Sequence, residues 1–149
     1  MISEFAQVVL VTGASQGLGR AIAVYFGQKG WTVAVNYRDN REGAAETCRL
    51  IQSAGGKALC YAADISQSGA VTRMVADVEA ELGAISVLVN NAGTVLRKPF
   101  LDMEVGDWDE IFGINARGTF LAGQAVAKRM IQRGTGTIIN ISSIWGLVT

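Results

Sequence analysis

Thr12-Gly13-Ala14-Ser15-Gln16-Gly17-Leu18-Gly19 lies between a β-branched run, Gln7–Thr12, and an amphipathic stretch, Gly17–Lys29. The run closes on a glycine and reads as a buried strand. The stretch sets Leu18, Ala21, Ile22 and Tyr25 at helical spacing and stops at Gly30. Three glycines spaced G-x-x-x-G-x-G at such a junction permit a tight turn. They also let an anion such as a pyrophosphate approach main-chain N–H groups at the helix N-terminus, where the dipole favours negative charge. With 18 glycines in 149 residues the spacing alone says little. Its place between strand and helix gives it meaning.

Outward from this loop, short apolar runs alternate with amphipathic segments. Strands are expected at Thr32–Tyr37, Lys57–Ala63, Ile85–Asn90 and Thr137–Ser142. Between them come a helix over Arg41–Ala54 and one with Val71, Met74, Val75, Val78 and Leu82 on a single face. A long helix runs from about Asp107 to Arg133. Alternation of this kind means parallel pairing through right-handed crossovers. The expected fold is one α/β domain over 1–149, a Rossmann-like doubly wound parallel sheet of five strands in the order 3-2-1-4-5. The first two helices should cover one face and the later ones the other. Strands four and five should then be bare on the first face, and strand five should have an open edge.

Composition narrows the function. Half the residues are hydrophobic, and 13 basic side chains balance 13 acidic ones, so neither nucleic acid nor an acidic membrane surface is an expected partner. No apolar run approaches the ~20 residues that span a bilayer. Met1-Ile2-Ser3-Glu4-Phe5 has no basic start before an apolar stretch, so no secretion signal is read and a cytoplasmic location is expected. Cys48 and Cys60 have no metal-ligand spacing and read as buried free thiols of a reducing compartment. Histidine is absent, which removes His-based triads and most zinc sites. No metal is expected.

Ligands of such sheets bind beyond the carboxyl ends of the strands, where strand order reverses. Those ends read Thr12-Gly13, Tyr37-Arg38, Asp64, Asn90-Asn91-Ala92-Gly93 and Ser142-Ser143. A full row of polar ends suits an extended polar ligand such as a dinucleotide. The glycine spacing, taken with Asn90-Asn91-Ala92-Gly93 after strand four, resembles the short-chain dehydrogenase/reductase family along the whole chain. Among its subclasses the nearest likeness is to 3-oxoacyl-thioester reductases.

The resemblance implies that Thr12, Gly13, Ser15, Gln16, Gly17, Leu18 and Gly19 hold the cofactor phosphates. Asn90, Asn91, Ala92 and Gly93 would line the cofactor and brace the sheet. Asp64 would bond the adenine with help from the Ile65 backbone; the competing reading, a helix cap, belongs more naturally to Ser66 or Ser68. An acid at the tip of strand two would take the ribose hydroxyls of NAD, whereas an arginine accommodates the 2′-phosphate of NADP. Tyr37 and Arg38 stand there, so NADP is expected ahead of NAD, although Arg38 also reads as a surface arginine. Gln16 departs from the pattern, because many NADP-using members carry a second basic residue at that place.

Trp108, Ile111, Phe112, Asn115, Thr119, Ala122, Val126 and Met130 form one stripe of the long helix. Asn115 would be polar on a buried face, where an unpaired amide costs roughly 1–3 kcal/mol. A structural bond to nearby backbone answers that cost. The resemblance adds a role in positioning a proton-relay water, and the two coexist. In Asn140-Ile141-Ser142-Ser143-Ile144-Trp145-Gly146, Ser143 is taken as the serine that bonds the substrate oxygen, with Ser142 one residue away as the alternative.

The implied reaction is hydride transfer between nicotinamide and a small-molecule carbonyl or secondary alcohol, with a carrier-bound acyl thioester among the candidates, in a homo-oligomer. Its tyrosine and lysine, four residues apart, belong roughly a dozen residues beyond Ser143, and the sequence ends at Thr149. As it stands, the chain is therefore expected to be inactive. A non-catalytic nucleotide-binding module is the rival reading. Tyr25-Phe26-Gly27-Gln28-Lys29 has the spacing, but at ~1.5 Å per residue it lies about 12–18 Å along the first helix, out of reach. Tyr25 is expected to face the core.

Overall fold

Strand β1, Val8–Val11, sends Val8 and Leu10 to one side of a sheet and Val9 and Val11 to the other, and all four are fully buried. A strand covered on both faces must be apolar throughout, which is why it reads as an unbroken hydrophobic run. The computed structural model describes residues 7–144; Met1–Phe5 and Trp145-Gly146 lie outside the described residues.

The elements follow as α1 (Gly17–Gln28), β2 (Thr32–Tyr37), α2 (Arg41–Ser53), β3 (Lys57–Ala62), α3 (Ser68–Leu82) and β4 (Ile85–Asn90). Then come α4 (Val105–Phe112), α5 (Thr119–Arg133) and β5 (Thr137–Asn140). All the pairings are parallel, in the order β3-β2-β1-β4-β5. The expected five-stranded doubly wound sheet is what forms.

Two cores sit on its faces. On one, Val8, Leu10, Ile85 and Leu88 meet Val71, Met74, Val75 and Val78 of α3 and Ala122, Val126 and Met130 of α5. On the other, Val9, Val11, Val33, Val35, Val87 and Val89 meet Ala23 of α1 and Ala44, Cys48 and Ile51 of α2. The register between β1 and β4 shifts between Val8 and Val9, passing over Ser86. That extra residue explains how Ile85 and Leu88, three apart, share a face. The residues of β5 are exposed, and among the described residues it pairs with β4 alone. On the α1 side, Ala21, Ile22, Tyr25, Phe26, Val89, Ile139 and Ile141 line an open apolar groove, as the crossover argument requires.

Several expectations need correction. Tyr25 is 57% exposed, with Lys29 Nζ 5.5 Å from its ring centre, so it does not face the core. Cys48 is buried but Cys60 is exposed. The long helix forms but is not regular: a π-helical segment, Gly113–Gly118, joins α4 to α5. The expected stripe therefore holds only in its second half. Ala122, Val126 and Met130 are buried, while Trp108 and Phe112 stack on each other at 4.0 Å and stay half exposed. Asn115, within the π segment, is exposed. Neither Ser66 nor Ser68 caps α3, whose N-cap is Gln67, without a side-chain bond. Among the described residues no helix is long and apolar enough to cross a membrane.

Candidate functional site

The turn after β1 depends on two glycines with positive φ, Gly13 at 62° and Gly17 at 57°. A Cβ on Gly13 would sit 2.8 Å from Ala92 Cα, so the loops after β1 and β4 touch main chain to main chain. Gly19 is as constrained: a side chain there would collide with the Gly13 carbonyl and the Asn91 amide.

Hydrogen bonds join these loops where strand order reverses. Asn91 N–H and Ala92 N–H both donate to Thr12 Oγ1 at 3.0 Å. Asn91 Nδ2 donates to the Thr12 and Gly13 carbonyls at 3.0 and 3.2 Å. Asn90 Nδ2 reaches Asn140 Oδ1 at 2.9 Å, its register partner on β5. Asn90 Oδ1 is buried without a partner among the described residues.

Two residues that the sequence reading passed over set the shape of the loop. Asn36, buried near the end of β2, accepts from Gly13 N–H at 3.2 Å. Its Nδ2 lies 3.2 Å from the Tyr61 carbonyl and 3.1 Å from that of Ala63. One side chain thus ties the glycine turn to the ends of β2 and β3. Arg20 spans from α1 to α2, donating to Ser15 O at 2.6 Å, Gly43 O at 3.1 Å and Thr47 Oγ1 at 3.0 Å. Thr47, fully buried, places its hydroxyl 2.9 Å from the Ala14 carbonyl. The sole sequence signals were an asparagine inside an apolar strand and an arginine beside the third glycine.

Gly13, Ser15, Gln16, Gly17, Leu18, Gly19, Tyr37, Arg38, Asp64, Ile65, Asn91, Ala92 and Gly93 line one cleft of about 420 Å³. Asn36, Asp39, Asn40, Ala63, Thr94 and Ile114 complete its wall. Thr12 and Asn90 do not line it; they stand behind it as braces. Asn115 adjoins it through Thr94, and Ser143 follows β5 at the same edge of the sheet, exposed.

At the tip of β2, Arg38 Nε donates to Asp39 Oδ2 at 2.5 Å. That hydrogen bond and charge, with Asp64 and Glu110 farther off, hold the guanidinium above its ordinary pKa. Asp64 lies two residues past β3, and its Oδ1 accepts from Ser66 N–H at 2.8 Å. Unlike α2, where Asn40 accepts from Gly43 N–H at 2.9 Å, α1 has no side-chain cap and no acid in its first turn. Its N-terminal N–H groups are left to face the cleft. Among the described residues no cluster of acids and cysteines is placed to hold a metal ion.

A family model described as short chain dehydrogenase matches residues 7–149. The chain belongs to that family. Two curated short chain dehydrogenases are each named 3-oxoacyl-[acyl-carrier-protein] reductase FabG. The protein from Staphylococcus aureus is 35% identical over 145 residues, which is 97% of this chain and 59% of the relative. The one from Staphylococcus epidermidis is 35% identical over 137 residues, covering 92% of this chain and 56% of the relative. The crystal structure of a short-chain type dehydrogenase/reductase from Mycobacterium marinum superposes with a TM-score of 0.92 at 35% identity, covering 97% of this chain and 58% of that one. The chain thus spans under two thirds of the length of these relatives.

Proposed function

We propose that the whole protein is an NADP-dependent reductase of carbonyl groups, or dehydrogenase of secondary alcohols, with a 3-oxoacyl thioester on a carrier protein as the leading substrate. The observation that carries the cofactor choice is Arg38 on the cleft wall at the tip of β2, with Tyr37 where an acid would favour NAD. The substrate class rests on the names of the staphylococcal relatives.

The residues present suit a dinucleotide. A Cβ at Gly17 would meet nothing within 4 Å, so the turn is open to a ligand, and the uncapped α1 offers main-chain donors to a pyrophosphate. Asp64 and the Ile65 backbone would take the adenine, Arg38 the 2′-phosphate, and Asn91 to Gly93 the ribose side. Bound nicotinamide would supply the hydride chemistry. Ser143 would hold the substrate oxygen, and Asn115 would help order water beside it. A cytoplasmic homo-oligomer completes the reading.

Titrating the whole protein with NADPH and NADH, then offering a 3-oxoacyl thioester, tests it. Tighter binding of NADPH and its oxidation on adding thioester are expected. Preference for NADH would overturn the cofactor assignment. NADPH binding without turnover of any simple carbonyl would favour a nucleotide-binding module.

A further inference from the structure

The chain has two cysteines, and the fold brings them together from different elements: Cys48 Sγ on α2 and Cys60 Sγ on β3 lie 2.6 Å apart. Their access to solvent differs. Cys48 is packed with Ala44 and Ile51 in the core under α2, whereas Cys60 is exposed on a strand that, among the described residues, pairs only with β2. One thiol meets solvent, and the other is reached through the first. The geometry is that of a nucleophile with a resolving partner already beside it.

We propose that Cys60 and Cys48 form a thiol-oxidation site that takes a low-molecular-weight disulfide and closes to a disulfide between α2 and β3. The Cys60 thiolate attacks one sulfur of the small disulfide, whose S–S bond breaks to release one thiolate. Cys48 then loses its proton and attacks the Cys60 sulfur, expelling the second small thiolate. The protein gives up two protons and two electrons, and the small disulfide takes both to become two thiols.

Electrostatics favour this order. Burial first, then the hydrogen bond and charge of Cys60, push the Cys48 thiol well above its ordinary range. Capping Cys60 removes both Cys60 contributions, so the first step eases the second. Closure would also anchor α2 beside Thr47, whose hydroxyl holds the glycine turn through Ala14 and Arg20. The site therefore bears on the cleft without lying in it.

The test uses the whole protein, folded, with oxidised glutathione, followed by alkylation and peptide mass mapping. Wild type should yield a peptide pair linked through Cys48 and Cys60, lighter by two hydrogens and regenerated by dithiothreitol. Cys48→Ser should instead trap glutathione on Cys60. Cys60→Ser should leave Cys48 reacting about tenfold more slowly than Cys60 does in the other variant, since exposure governs attack. Alkylating untreated wild type, which needs no variant, should label Cys60 first. A lasting glutathione adduct on wild-type Cys60 with Cys48 still alkylatable, or no oxidation at either thiol, would overturn the proposal.

Discussion

Asn115 and Thr94 hold each other by two hydrogen bonds, Thr94 N–H donating to Asn115 Oδ1 at 2.8 Å and Asn115 Nδ2 donating to the Thr94 carbonyl at 2.9 Å. The amide replaces a missing strand partner and fixes the segment that leaves Gly93. Each polar atom keeps a second position, one N–H on Nδ2 and one lone pair on Oδ1, with which the exposed amide could still bond water. Asn115→Ala should lower unfolding free energy by about 1 kcal/mol, the net worth of exposed hydrogen bonds. Asn115→Asp, which keeps the acceptor, should lose less. Denaturant unfolding of the two variants separates them, and equal losses would show that the retained acceptor contributes nothing net.

An incoming 2′-phosphate would have to share Arg38 with Asp39. In the whole protein Arg38→Ala should weaken NADP(H) by more than tenfold and spare NAD(H), because a charge-assisted contact is worth roughly 1.5–3 kcal/mol. Asp39→Asn frees the arginine from an exposed ion pair worth about 0.2–1 kcal/mol, so NADP(H) should tighten up to about fivefold. Fluorescence titration with both cofactors reads both effects. Parallel changes for NAD(H) would count against a 2′-phosphate role.

Asn36 concentrates its bonds in the wall of the cleft. Asn36→Ala strands Gly13 N–H and takes a donor from two strand-end carbonyls, for a loss of about 1–3 kcal/mol. Thermal or denaturant unfolding measures it. A loss below about 1 kcal/mol would mean that water satisfies those groups instead.

Ser143 and Ser142 are distinguished by kinetics. Ser143→Ala should depress kcat far more than cofactor affinity, since its hydroxyl would touch the reacting oxygen, and Ser142→Ala should be milder. A larger effect at Ser142 would move the assignment by one residue.

Much of this was legible in the sequence because parallel strands buried on both faces cannot hide: runs such as Val8–Val11 and Ile85–Asn90 have few other uses. The glycine spacing and the polar strand ends marked the cleft for the same reason, since each sits where an apolar run stops. What escaped was whatever depends on phase or partner. Asn36 and Arg20 went unmarked because most of their partners are 23 to 27 residues away. Ser86 slipped the face of β4 without disturbing its apolar look. Tyr25 fell on the buried side of an idealised wheel, yet it lies over the half of the sheet that α1 does not cover.

The π-helical segment has a consequence for how this chain can change length. Gly113–Gly118 holds one residue more than an unbroken α-helix would need between Phe112 and Thr119. Deleting a residue there would give a smoother rod and leave α4 and α5 in the phase they now have, because the wide turn already absorbs the surplus residue. The loss would be local: the widened turn that sets Asn115 against Thr94 would close. The surplus residue acts as a gear tooth between two tasks: α5 stays in phase with the sheet while the turn before it stays in phase with the cleft. A deletion within this helix should therefore keep its two ends in phase only at this one place, where a residue is spare.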